Sequence, residues 1–179
     1  MTTVKPLNVR IANLSDEADI YNLLTGEQGL YQENALFEMS APKVRRAINM
    51  GLVRYKGVLG TPNGPKGIIG VIEHDGKVVA SVGMEFVQFW YSEDWLLSEL
   101  WNFVHPDFRK TTYAQDLINF AKWCSDGLSI PLHMGIISKS RVKAKVRLYK
   151  RTIPYAGGYF IHGIEGMEID PLDQTDGAN

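Results

Sequence analysis

The sequence predicts an α/β fold in a single domain, a mixed central β-sheet flanked by about four helices. Three observations carry this expectation. The chain has 179 residues, 45% of them hydrophobic and 22% charged, which suits one soluble globular domain with a real core. Strand and helix patterns follow one another in the order β-α-α-β-β-β-α-β. The next segment, Lys139 to Arg151, stands where a mixed sheet needs a crossover between its last strands.

Leu7 to Ala12 alternates as a strand, with Leu7, Val9 and Ile11 against Asn8, Arg10 and Ala12. Ser15 is placed to cap a helix whose first turn holds Asp16 and Glu17, where the helix dipole favours acids. Ile20, Leu23 and Leu24 give that helix its apolar face. A second helix starts at Ser40 with Pro42 in its first turn, is lined by Val44, Ala47 and Ile48, and stops at Gly51. Two apolar runs around Asp75-Gly76 form a hairpin, because both central turn positions require positive φ. Trp95 to Val104 is mostly apolar and reads as a central strand. A helix runs from about Tyr113 to Asp126, with Gly127 as its stop. Leu132 to Ser138 and Gly158 to Ile169 read as further strands. The domain spans 1–169, and residues 170–179 form a polar tail.

Lys139 to Arg151 carries two periodicities. Val142, Ala144, Val146 and Leu148 alternate with basic residues as a strand would. Val142, Val146, Tyr149 and Ile153 also form a helical stripe, and the need for a crossover favours helix.

Composition narrows function. A net charge of −1 gives no global case for nucleic acid or a lipid surface. The start, MTTVKPLNVRIANL, has no long apolar run, so neither a signal peptide nor a membrane anchor is expected. The single cysteine, Cys124, fits a reducing compartment, and cytoplasm is the expected location. The four histidines are scattered, and no metal site is expected.

Val104-His105-Pro106 precedes Arg109-Lys110-Thr111-Thr112-Tyr113-Ala114 and then a helix. This motif, together with the element order from Val9 to about Ile161, resembles the GNAT superfamily of acyl-CoA-dependent N-acetyltransferases. That family ends its fourth strand with V-x-P and follows it with Arg/Gln-x-x-Gly-x-Gly/Ala. Arg109 and Ala114 match; Thr112 stands at a glycine position. The resemblance implies that Val104 and the residues Arg109 to Ala114 hold the pyrophosphate of acetyl-CoA. The physical basis is a helix start, whose backbone N–H groups lack intrahelical partners and attract anions. The same residues have another reading. Thr112-Tyr113-Ala114-Gln115 fits a capping box, in which Thr112 and Gln115 satisfy those N–H groups themselves.

Acetyl transfer to an amine needs a base to take the amine proton and an acid for the leaving thiolate. The resemblance implies a carboxylate base on the fourth strand, and Glu99 lies there within an apolar run that would raise its pKa. Glu99 is otherwise an outward-facing or lysine-paired strand residue. Glu85 is the substitute base, and His105 a weaker one. The family's acid is a tyrosine in a Tyr-x-x-x-Gly-Phe pattern. Tyr149 fits that position, with Ile153-Pro154 where Gly-Phe would stand and Tyr155 near enough to replace it. Tyr149 reads equally as an apolar anchor. The resemblance further implies that main-chain groups around Met134 to Ile137 pair with the pantetheine arm.

Lys139 to Arg151 puts seven positive charges into thirteen residues with no acid among them. It is a solvated face, a neutraliser of coenzyme A phosphates, or a surface for nucleic acid or another polyanion, the last not favoured. Phe86 to Tyr91 and Trp95 form an aromatic cluster that is either core and sheet edge, or an acceptor pocket or homodimer contact.

The function expected is acetyl-CoA-dependent N-acetyl transfer to an amine acceptor, with Glu99 as base and Tyr149 as acid. The alternative is a catalytically silent GNAT-like binding or structural protein, using its basic segment on a polyanionic partner. Divergent forms of that kind are frequent in bacteriophage genomes.

Overall fold

The computed structural model describes residues 4–158. All but the first residue of the expected strand from Gly158 to Ile169, the domain boundary at 169 and the polar tail lie outside the described residues.

One five-stranded sheet has the order β1-β2-β3-β4-β5. β1 is Arg10–Ile11, β2 Gly67–His74, β3 Lys77–Gln88, β4 Trp95–Val104 and β5 Leu132–His133. The first four pair antiparallel, and β5 joins β4 in parallel, so the sheet is mixed as the element order predicts. The β2–β3 turn uses Asp75 at φ 49° and Gly76 at φ 76°, the geometry of a two-residue hairpin whose strands keep their natural twist.

The helices are α1 (Glu17–Thr25), α2 (Leu30–Asn34), α3 (Ala41–Leu52), α4 (Tyr113–Leu128) and α5 (Val142–Lys150). On one face of the sheet, Ile20 and Leu24 of α1 and Val44 and Ile48 of α3 pack with Ile69, Val71, Trp101 and Phe103. On the other, Leu117, Phe120 and Ala121 of α4 pack with Val82, Met84 and Leu97. Phe120 and Leu117 are fully buried, each contributing about 1.5–3 kcal/mol of hydrophobic stabilisation.

Several local expectations are corrected. The first strand shrinks to two paired residues, and Leu7 is fully exposed. Ser15 does not cap a helix. Asn13 accepts the Ser15 N–H at 2.9 Å, while Asp16 accepts the Asn13 N–H at 2.8 Å. Arg10 holds Asp16 by two 2.8 Å hydrogen bonds, and that contact keeps the carboxyl below its usual range. Gly51 lies inside α3 instead of ending it, and a Cβ there would sit 2.4 Å from Ile69 Cγ1. Its absence lets α3 approach the sheet. Gly127 also stays helical. Ser129 at φ 56° closes α4, its N–H bonding back to the Asp126 carbonyl at 3.2 Å.

The expected strand from Leu132 to Ser138 pairs only at its start. Leu97 faces Leu132 and Ser98 faces His133. Beyond that, among the described residues, 134–138 leave the ladder. The segment with two periodicities is helical over Val142–Lys150, as the crossover argument expects.

Candidate active site

The site begins with an interruption in β4. Gly83 pairs with Trp101 but Met84 pairs with Glu99, so Leu100 is one residue too many, a β-bulge. In an unbroken strand Glu99 and Trp101 would share a face. The bulge instead sends Trp101 into the α1/α3 cluster and turns both Glu99 and Asn102 toward Tyr149 of α5.

Those three side chains form one constellation. The Tyr149 hydroxyl donates to Glu99 Oε1 at 2.8 Å, and Asn102 Nδ2 donates to Tyr149 Oη at 3.3 Å. Gly135 N–H, just past β5, donates to Glu99 Oε2 at 3.3 Å. Burial raises the Glu99 pKa to about 7, while the hydrogen bonds from Tyr149 and Gly135 and the charge of Lys145 restrain the rise. Burial and the neighbouring carboxylate push Tyr149 well above its ordinary value, so it keeps its proton at neutral pH. Expected base and expected acid are thus brought into direct contact.

A cavity of about 590 Å³ lies before this constellation, between β4, the diverging 134–138 segment, α2 and α3. Glu99, Asn102 and Tyr149 form part of its wall, and Tyr31, Val44 and Trp101 line it as well. A second cavity of about 280 Å³ lies behind, between the end of β4, the start of α4 and α5. Val104, Arg109, Thr111, Thr112 and Ala114 all line it. Lys110, exposed, and Tyr113, stacked on Phe108 at 6.2 Å, do not.

The start of α4 corrects the capping-box expectation. Thr112 makes no side-chain cap; its hydroxyl donates to Asp116 Oδ2 at 2.7 Å. Gln115 Nε2 bonds Asn119 Oδ1 at 3.2 Å, and its Oε1 accepts from Thr152 at 3.1 Å. Thr111 Oγ1 accepts the Tyr113 N–H at 3.3 Å. Neither expected capping side chain therefore covers the first-turn N–H groups.

Glu33 and Asn34, invisible to sequence reasoning, complete this cavity with Lys145 of the basic segment. Glu33 of α2 pairs with Arg109, and its carboxyl also accepts from Ser140 at 3.1 Å. Burial works to raise the Glu33 pKa, but Arg109, Ser140 and Lys145 outweigh it and hold the group ionised. Lys145 Nζ donates to Asn34 Oδ1 and Ser138 Oγ, both at 2.7 Å, and burial lowers its pKa. α2 is short and polar, LYQEN, with too few apolar positions to announce a helix.

The other candidates fall elsewhere. Glu85 is half-buried on β3, its pKa raised by burial, and lines neither cavity. His105 accepts the Asp107 N–H at 3.4 Å, a structural turn role. Tyr155 is exposed beside Lys150. Of the basic segment, Arg141 and Lys145 line the smaller cavity. Phe89, Trp90 and Tyr91 are exposed and line neither cavity, although Phe89 meets His133 edge-on at 6.3 Å. Among the described residues, no group of three or more His, Cys, Asp or Glu could hold a metal ion. No helix among them is long and apolar enough to cross a membrane.

No family model and no curated protein matches the sequence. Solved structures do. An aminoglycoside acetyltransferase from an uncultured soil metagenomic sample matches at TM-score 0.60 and 11% identity, covering 89% of this chain and 95% of that one. A possible acetyltransferase from Clostridium difficile 630 matches at TM-score 0.61 and 18% identity, covering 89% and 97%. A ribosomal-protein-alanine N-acetyltransferase from Brucella melitensis biovar Abortus 2308 matches at TM-score 0.59 and 16% identity, covering 88% and 100%.

Proposed function

The chain has the GNAT fold, and we propose that it is a divergent GNAT acetyltransferase moving an acetyl group from acetyl-CoA to an amine. The observation that carries this reading is the Glu99–Tyr149 pair, set where β4 and the 134–138 segment part. The acceptors named for the similar structures, an aminoglycoside and a protein alanine, show that the fold alone does not choose one.

The residues suit acetyl-CoA. The smaller cavity carries Arg109, Arg141 and Lys145 against one acid, Glu33, so it attracts an anion. The start of α4 adds its dipole. The 134–138 backbone, out of the ladder, offers groups to a pantetheine arm. Glu33 must yield Arg109 to a phosphate for this fit to be complete.

Acetyl-CoA supplies an activated thioester carbonyl. Glu99, with a pKa of about 7, is ionised often enough at neutral pH to accept a proton from an ammonium or attacking amine. Tyr149 holds its proton ready for the departing sulfur. Because Tyr149 is hydrogen-bonded to Glu99, the proton gained on the carboxyl replaces the one the phenol gives away. Asn102 fixes the phenol oxygen.

A second reading keeps the fold and drops the chemistry. The Glu33–Arg109 pair and Thr112 favour it, since both put protein atoms where a phosphate would bind. Glu99→Gln separates the two. Loss of acetyl transfer with acetyl-CoA affinity intact supports the enzyme; equal turnover in variant and parent removes Glu99 from it.

A further inference from the structure

We infer that the larger cavity takes a small primary amine with one cationic nitrogen and an apolar, aromatic or branched, body. The inference rests on the acyl-transfer reading for where the nitrogen sits, and on the cavity wall for the rest.

Apolar side chains supply the larger share of the wall, beside the polar Asn34, Asn102, His133 and Ser138. Leu30, Tyr31, Leu36, Met39, Trp101 and Ile136 supply its surface. Its charged groups balance: Glu38 and Glu99 against Lys43 and Lys145. Glu38 and Lys43 are exposed at the rim. Lys145 is turned into its hydrogen bonds with Asn34 and Ser138. Glu99 is therefore the carboxylate that meets a ligand within the cavity. One ammonium fits it. A second or third ammonium on the same ligand finds no other carboxylate within the cavity, since Glu38 lies exposed at the rim with Lys43, and its desolvation is not offset by a second ion pair. The volume of about 590 Å³ suits a small molecule with a ring or branched chain.

The smaller cavity behind is cationic where the larger is balanced. Its excess of cations would repel an amine, so the two ligands are sorted by charge to opposite sides of Tyr149.

The test uses the full chain and four probes: phenylethylamine, spermidine, kanamycin and a short alanine-initiated peptide. Calorimetry without acetyl-CoA measures binding, and initial rates with acetyl-CoA measure transfer. Phenylethylamine is expected to bind about tenfold or more tighter than spermidine or kanamycin, and to lead in kcat/KM by a similar factor. Ile137→Asp and Leu100→Asp add a carboxylate to exposed wall positions, and each should shift the preference about tenfold toward spermidine. Preference for spermidine, kanamycin or the peptide in the parent protein overturns the inference, as does a preference unmoved by both substitutions. If phenylethylamine binds in that order but no amine is acetylated, the transfer reading fails and the assignment of the cavity stands. If transfer runs on a polycation or the peptide instead, the transfer reading stands and this inference fails.

Discussion

The two cavities that meet at Tyr149 handle charge in opposite ways. The larger has its central acid, Glu99, raised by burial to about 7. The smaller holds its acid, Glu33, ionised by surrounding it with Arg109, Ser140 and Lys145. The same residue type is tuned upward where burial wins and downward where pairing wins. A carboxyl near neutrality can exchange protons; one held ionised in a cationic nest at neutral pH offers only its charge. Under the proposed function, the contrast puts proton chemistry on one side and anion binding on the other.

Breaking the proton side should have the largest effect. Glu99→Gln is expected to lower kcat by about a hundredfold or more in steady-state assays, with acetyl-CoA affinity within about twofold of the parent by calorimetry. A change in affinity as large as the change in rate would erase the division between the cavities. Tyr149→Phe should lower kcat by about tenfold to a hundredfold. It also removes a hydrogen bond that favours ionised Glu99, so the acidic limb of the pH–rate profile should move upward. A downward shift would mean that Tyr149 does not stabilise the carboxylate.

The anion side should respond in affinity instead. Arg109→Ala is expected to weaken acetyl-CoA binding by about tenfold or more, since it removes a cation and leaves Glu33 without its ion-pair partner. Glu33→Gln should strengthen it by about threefold to tenfold by releasing Arg109. Weaker binding in Glu33→Gln would show that the acid organises the loop more than it competes with phosphate.

The smallest expected effects concern pH. In the parent protein kcat/KM should fall about tenfold per unit below a pH of about 7 and level off above it, if the proposed base is the ionised form of Glu99. Stability should run the other way. The folded state holds a proton on Glu99 between the ordinary 4.5 and about 7 that the unfolded chain has released, so stability declines as pH rises through that window. Glu99→Gln removes this decline. At pH 8 it should be about 1–2 kcal/mol more stable than the parent in denaturant unfolding, less than the full shift because the cavity admits water. Equal stability of the two proteins at pH 5 and pH 8 would contradict the raised pKa.

What the sequence revealed and what it concealed divide along physical lines. Asp75-Gly76 announced a turn because few residues tolerate positive φ at both positions. Trp95 to Val104 announced a strand through its apolar run, and α4 through its buried stripe. Glu99 stood out as an acid inside that run. Its orientation did not, because a bulge at Leu100 is a matter of pairing with β3, which no local pattern records. Asn102 was hidden by the same bulge, since alternation assigns it to the opposite face from Glu99. Glu33 and Asn34 were hidden by brevity, five residues being too few for a helical period. Thr112 and Gln115 matched a cap by spacing, yet each found a closer side-chain partner, Asp116 for one and Thr152 for the other. Local chemistry was legible; choices among tertiary partners were not.

On the proposed function, this divergent fold still joins an anion site to a proton-handling pair for acetyl-CoA. Calorimetric titration of the full chain with acetyl-CoA tests it most directly. The predicted result is saturable binding in the micromolar range, weakened by Arg109→Ala and unchanged by Glu99→Gln. Absence of binding at high micromolar ligand, in the parent and in Glu33→Gln alike, would contradict it.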